Sequence, residues 1–210
     1  MKISYAIPVC NELIELQRLV NFLIKHKREE DEIVILYDSQ NGSEMVEEYL
    51  RAKSVGTTSP FIWHSNPLNS DFGKQKNHLN KMCNGDWIFL IDADEYPNEH
   101  MCTALPQLLE LNPEVEAYWV PRINTVEGLT QEHITKWGWI VNDKGWVNFP
   151  DNQMRIYKNN TERIYWTKPV HEQLIGYKKF AALPMDEEYC LYHPKDIKRQ
   201  ERQNNFYETI

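Results

Sequence analysis

The chain is short of several things, and each shortage closes off a class of function. Glycine is scarce, at 8 of 210 residues. None stands in Pro8-Val9-Cys10-Asn11-Glu12, where the chain leaves its first strand-like run. The glycine-rich loop with which many nucleotide-binding folds cradle phosphates near that point is therefore missing. Cysteine is limited to Cys10, Cys83, Cys102 and Cys190, with no Cys-x-x-Cys pair. These read as reduced packing residues, and the expected compartment is the cytoplasm. No apolar stretch approaches a membrane span, and the run before Asn11 and Glu12 is too short for a secretory core segment. Lys and Arg number 23 against 31 Asp and Glu, for a net charge of −8. With no basic stripe, this balance argues against a general nucleic-acid binder. Internal repeats and low-complexity segments are also absent.

What is present is most concentrated in Trp87-Ile88-Phe89-Leu90-Ile91-Asp92-Ala93-Asp94-Glu95. An apolar run without alternation fits an interior strand of a parallel sheet, covered on both faces. It ends abruptly in acids. Ligands of open α/β sheets bind just beyond the carboxyl ends of strands, so Asp92 and Asp94 stand where chemistry is usually done. Carboxylates one residue apart on an extended chain point the same way. Hard oxygen donors at that spacing suit Mg²⁺ or Mn²⁺ carrying a phosphate. The rival reading is a solvated strand end.

Strand-like runs at 2–9, 32–37, 61–64 and 87–91 alternate with helical patterns at 12–26, 44–52 and 74–82. That order predicts an α/β fold with a parallel sheet and right-handed crossovers. Residues 100–111 read as a helix and 117–123 as a strand. The stretch 124–148 reads as long, irregular and tryptophan-rich, with Trp137, Trp139 and Trp146. At least one of these is expected in the core and at least one in a binding cleft, since loops carry binding residues and aromatic faces stack on ligands. Residues 153–157 and 188–192 read as short strands. A helix is expected over 194–207, running on to Ile210 without a stop signal, as in a first domain of a longer polypeptide.

Taken together, "YAIPVCNE", "ILYDSQNGS" and "FGKQKNHLNKMCNGDWIFLIDADEYPNE", followed by "VPRIN", "GWVNFPDNQMRIYKN", "VHEQL" and "LYHPK", resemble family 2 glycosyltransferases of the GT-A fold. The likeness is to the small lipopolysaccharide-core and capsule-type members, and it covers nearly the whole chain. It implies one Rossmann-like GT-A domain over 1–210, with a mainly parallel sheet flanked by helices. Residues 1–97 would form the nucleotide-sugar half and 98–210 a small mixed acceptor half. The implied reaction is metal-dependent transfer of a sugar from a UDP-sugar to a glycan hydroxyl, with inversion.

The resemblance also implies roles. Pro8, Asn11 and Glu12 would line the base and ribose pocket. Asp38 would accept from the uracil ring, where its rival role is to begin a turn. Lys74, Lys76 and Asn77 match the segment that closes over the donor. Asp92 would reach the ribose or, indirectly, the metal, and Ala93 would belong to the same nucleotide-sugar site. Asp94 would bind Mn²⁺ or Mg²⁺, with Glu95 in support. His193 is the candidate further metal ligand and His171 its rival. Asp151, in Pro150-Asp151-Asn152, is the candidate general base, because an acceptor hydroxyl must lose its proton during attack. Its rival role is a cap after Pro150. Trp139, Trp146, Arg155 and His171 are candidates for acceptor or phosphate contacts, and Arg122 and Arg155 for phosphate contacts or for locking Asp151, with structural ion pairs as their rival role. Two alternatives stand beside transfer: a non-catalytic nucleotide-sugar-binding module and a sugar-phosphate nucleotidyltransferase.

Overall fold

A computed structural model gives the structure and describes residues 1–55 and 59–201. Strands β1 (Ile3–Val9), β2 (Glu32–Asp38), β3 (Ile62–Asn66) and β4 (Trp87–Leu90) are joined by helices α1 (Leu13–His26), α2 (Glu44–Lys53) and α3 (Phe72–Met82). All four strands are parallel: β1 lies between β2 and β4, and β3 flanks β2. The near-continuous apolar strands predicted this burial. Every residue of β4 is buried, and so are six of the seven in β1.

The second half joins the same sheet. After α4 (Glu99–Leu111) come β5 (Ala117–Glu127), α5 (Gln131–Trp137) and β6 (Val147–Lys158). The hairpin β7 (Tyr165–Thr167) and β8 (Gln173–Ile175) stands apart from the sheet, and β9 (Phe180–Ala182) and β10 (Leu191–Asp196) complete the described chain. The sheet runs β10-β5-β6-β4-β1-β2-β3, with β9 also on β5. Strand β6 is antiparallel to both of its neighbours. The carboxyl ends of β1 to β5 and of β10 therefore share one edge with the start of β6.

Two apolar layers hold the sheet. On one face Tyr5, Ile7 and Phe89 pack with Leu16, Leu19 and Leu23 of α1, Leu50 of α2 and Leu105 of α4. On the other, Val34, Leu36, Ile88 and Leu90 pack with Leu79 of α3 and with Trp166 and Leu174 of the hairpin. All four cysteines are free thiols. Among the described residues, no helix is long and apolar enough to cross a membrane.

The expectations needed four corrections. The stretch 124–148 is not irregular throughout: β5 continues to Glu127 and α5 follows. No residue of α5 is buried, so no apolar stripe marked it in the sequence. The end of the chain differs as well: Glu187–Tyr189 is a 3-10 turn, and β10 carries on through Asp196, where a helix had been expected. Helical residues begin at 197, and 202–207 lie outside the described residues. Finally, Trp137, Trp139 and Trp146 are all half-buried, so none of them is core.

The start of β5 is tied to the hairpin region by Glu116. Its carboxylate accepts from both terminal nitrogens of Arg163, at 2.7 and 2.9 Å, and from the Lys178 amide at 2.6 Å. The Arg163 hydrogen bonds lower its pKa from 4.5 to about 2. A lowered carboxyl stabilises the fold above its unfolded value and loses that effect as pH falls through the folded value. Glu116→Gln is therefore expected to be less stable than the wild type at pH 7. The gap in urea midpoint should narrow between about pH 4.5 and pH 2.

Candidate active site

At the shared edge the chain gathers its acids around one buried carboxylate. Glu95 has no exposed side-chain surface. One of its oxygens accepts from Arg122 Nη1 at 2.9 Å and from Arg155 Nη2 at 2.6 Å. The other accepts from the Asp92 amide at 3.2 Å, closing the turn after β4. Arg155 Nη2 also donates to Asp92 Oδ2. Local backbone explains this reach. The pairing of β5 with β6 slips between Tyr118↔Ile156 and Trp119↔Met154, leaving Arg155 as the extra residue of a bulge. Bulges re-aim side chains, and this one sends a guanidinium beneath the acids of the β4 turn.

Register builds the rest. Arg122 on β5 pairs with Asp151 on β6, and Asn124 pairs with His193 on β10. Asp151 Oδ2 accepts from Arg122 Nε at 2.9 Å, Arg122 Nη2 at 2.6 Å and Asn124 Nδ2 at 2.8 Å. Asn124 Oδ1 lies 2.7 Å from His193 Nδ1, and His193 Nε2 lies 3.1 Å from Asp94 Oδ2. One amide thus links the candidate base to the candidate metal ligand. Because Asn124 spends its NH₂ on Asp151, its oxygen faces His193, and His193 Nδ1 must donate to it. That leaves Nε2 aimed at a carboxylate, and two acceptors face to face call for a proton or a cation between them.

Charge explains the protonation states. Burial pushes the Asp92 carboxyl up, but the Arg155 guanidinium more than offsets this and holds it below the ordinary range. Burial acts the same way on Asp94, where the hydrogen bond from His193 and the charges of His193 and Arg199 hold the carboxyl well below that range. Asp151 is likewise lowered against burial, by Arg122 and Asn124. Burial lowers Lys195, with Asp94 opposing.

The other candidates fall into different places. Pro8 is the next-to-last residue of β1 and is half-buried. Asn11 is exposed, and Glu12 folds back so that Oε2 accepts from the Cys10 and Asn11 amides at 3.0 and 2.9 Å. Asp38 is buried, and its oxygens accept from the Gln40 and Leu68 amides and from Asn41 Nδ2. The contacts it makes are those of its rival role, a turn organiser. Asn77 is committed elsewhere, since its amide donates to the Trp166 carbonyl and accepts from the Trp166 amide, clamping α3 to β7. Lys74 is exposed and pairs with Asp71 at 3.0 Å. It lines a cavity of about 300 Å³ with Asn66, Asn69 and His78.

Lys76, two residues on, is the lysine whose charge acts on Asp92. It is paired with Glu172 and lies over the Trp166 ring. Ala93 is buried beside the acids. His171 is exposed in a left-handed conformation. Of the tryptophans, Trp139 lines a second cavity of about 200 Å³ with Arg122, Asn124, His193 and Lys195. Trp146 packs on Phe149, with Lys144 over its ring.

Sequence reading missed Asn124 and Arg199 and underrated Glu95. Arg199 Nη2 donates to Asp94 Oδ2 at 3.0 Å. Nothing in the local pattern around Asn124 or Arg199 signals a site, because both acquire their partners only through the order of strands. Among the described residues, no group of three or more His, Cys, Asp or Glu is arranged to hold a metal ion. Asp94 and His193 could supply two donors to a cation, which would need its remaining ligands from a bound molecule or water.

The family model described as "Glycosyl transferase family 2" matches residues 4–174. Among solved structures, S. aureus TarS 1-349 superposes with a TM-score of 0.64 at 16% identity, over 92% of this chain and 60% of that one. Its complex with UDP-GlcNAc gives 0.63 at 16% identity, over 93% and 59%. Its complex with UDP gives 0.62 at 15%, over 92% and 60%. The fold is thus the GT-A fold, and the chain spans about 60% of the length of these crystallised relatives.

Removing the charge of Glu95 leaves the buried Arg155 guanidinium and the half-buried Arg122 guanidinium short of a partner. Glu95→Gln is expected to lower unfolding free energy by about 3–5 kcal/mol, the usual cost of breaking a buried ion pair from one side. Urea denaturation followed by tryptophan fluorescence checks this.

Proposed function

Because the chain belongs to glycosyl transferase family 2, we propose that it transfers a sugar from a UDP-sugar to a glycan hydroxyl, with inversion and with help from a divalent cation. The observation that carries this reading is the link Asp94–His193–Asn124–Asp151. It runs along the carboxyl edge of the sheet and puts a two-donor cation set beside a candidate base. TarS, of the same fold, was crystallised with UDP-GlcNAc and with UDP, which supports a uridine nucleotide.

In this reading residues 1–97 bind the donor. Pro8, Asn11, Glu12 and Asp38 lie at the ends of β1 and β2, where base and ribose would rest. Asp38 would serve by shaping the turn that receives them. Asp92 and Ala93 would meet the ribose, with Arg155 fixing the Asp92 carboxylate. Lys76 replaces Lys74 as the lysine facing the diphosphate, and Asn77 becomes a structural clamp. Asp94 and His193 would hold Mn²⁺ or Mg²⁺. Bound there, the ion would act as a Lewis acid that offsets charge on the departing diphosphate.

Residues 98–210 would bind the acceptor. The cavity at Trp139 offers an aromatic face beside Asn124 and Arg122. Asp151 would accept the acceptor proton. Its Oδ2 is held by Arg122 and Asn124, while Oδ1 accepts from Gln153 at 2.6 Å and keeps a lone pair for a hydroxyl. As the acceptor oxygen bonds to the anomeric carbon, the bond from that carbon to the diphosphate oxygen breaks and UDP leaves. Arg155 moves out of the direct acceptor set because its guanidinium is spent on Asp92 and Glu95, while Trp146 and His171 stay candidates for acceptor contacts. The free thiols support a reducing compartment, the cytoplasm.

Calorimetric titration of UDP and GDP, each with Mn²⁺ and with EDTA, tests the donor half. UDP is expected to bind with Mn²⁺ and to lose affinity in EDTA and in Asp94→Ala. Binding indifferent to metal and to Asp94 would sink the metal-dependent reading. For the acceptor half, Asp151→Asn is expected to keep UDP affinity while transfer slows by about 10²–10⁴-fold, the usual contribution of a general base. Unchanged turnover would remove Asp151 from the chemistry.

A further inference from the structure

The guanidinium of Arg199 lies where the proposed cation belongs. Residues 197–201 turn into a helix directly after β10, and the Asp196 carboxylate caps it by accepting from the Arg199 amide at 2.8 Å. Arg199 Nη2 donates to Asp94 Oδ2, the same oxygen that faces His193 Nε2. Nη1 donates to Glu15 Oε1 at 3.0 Å, and Nη2 reaches Glu12 Oε1 at 3.4 Å. Three carboxylates, from the β4 turn and the start of α1, converge on one permanent positive charge. The side chain is only 24% exposed.

We propose that Arg199 is a built-in competitor for the divalent cation at Asp94. The proposal rests on the metal reading above and adds regulation to that same site. A cation bound to Asp94 Oδ2 and a guanidinium donating to it at 3.0 Å require the same space and the same lone pairs. Loading the site displaces Arg199 from Asp94. Glu12, just before α1, and Glu15, in its first turn, remain as its alternative partners, so the guanidinium is released without being stranded. Docking of the helix at 197–201 on α1 is thereby coupled to cation occupancy, and by linkage each weakens the other. The arrangement keeps Asp94 neutralised while the donor is absent.

The test is titration of Mn²⁺ alone into the full chain, read by loss of the EPR signal of free aqueous Mn²⁺. Arg199→Ala is expected to bind Mn²⁺ about fivefold or more tightly than the wild type, the low end of a typical coupling. Glu15→Gln loosens the latch without touching Asp94 and is expected to shift affinity the same way by less. Lys198→Ala removes an equal charge from an exposed neighbouring position and is expected to change nothing. Wild-type Mn²⁺ binding with no gain in Arg199→Ala overturns the competition and leaves the metal reading standing. An equal gain in Lys198→Ala and Arg199→Ala also overturns it, because bulk charge would then be the cause. No Mn²⁺ binding by any of the proteins overturns both.

Discussion

The arrangement of this edge depends on the burial of Glu95 between two arginines. A carboxylate with no exposed surface is costly unless fully partnered, and here Arg122, Arg155 and the Asp92 amide supply the partners. Each of these contacts fixes something else. The Asp92 amide sets the turn that carries Asp92, Ala93 and Asp94. Arg155 holds the Asp92 carboxylate, and Arg122 reaches across to Asp151. One buried charge therefore sets the relative positions of acids from β4 and β6, which lie 56 or more residues apart in the chain. Buried ionic groups seldom add net stability over apolar ones, so a network of this kind is better read as positioning than as glue.

Sheet topology makes that network possible. Because β6 enters antiparallel between β4 and β5, its first residues lie at the same edge as the ends of the parallel strands. The donor-side acids and the candidate base then meet across a single strand. Strand β10, parallel to β5, adds His193 opposite Asn124. The bulge at Arg155 turns a strand residue toward the turn after β4. None of this needs a glycine-rich loop: here side-chain cations stand at the carboxyl edge of the sheet, where many nucleotide-binding folds use backbone amides.

Legibility followed the source of each signal. Strands β1 to β4 and helices α1 to α4 were readable, because each buries an apolar stripe or run that repeats with its own period. The Asp92–Glu95 turn was readable because an apolar strand stops in acids. The hidden features lack any local period. Helix α5 has no buried residue, β7 to β9 have three residues each, and the later part of β10 carries Pro194 and Lys195. Site roles divided in the same way. Asp94 and His193, 99 residues apart and both put forward by the resemblance, come together in space. Lys74 and Lys76 could not be told apart until α3 showed which one faces Asp92. Asn77 looked available for a ligand because its true partner, the Trp166 backbone, lies 89 residues away. Asn124 and Arg199 matter only through pairings that strand order creates.

The most direct measurement is a crystal structure of the full chain grown with UDP and Mn²⁺. The account requires the nucleotide to lie across the ends of β1, β2 and β4. Its diphosphate should meet a cation held by Asp94 and His193, with Asp92 still gripped by Arg155. A nucleotide seated elsewhere, such as the cavity beside Lys74 and His78, with Asp94 untouched, would contradict it.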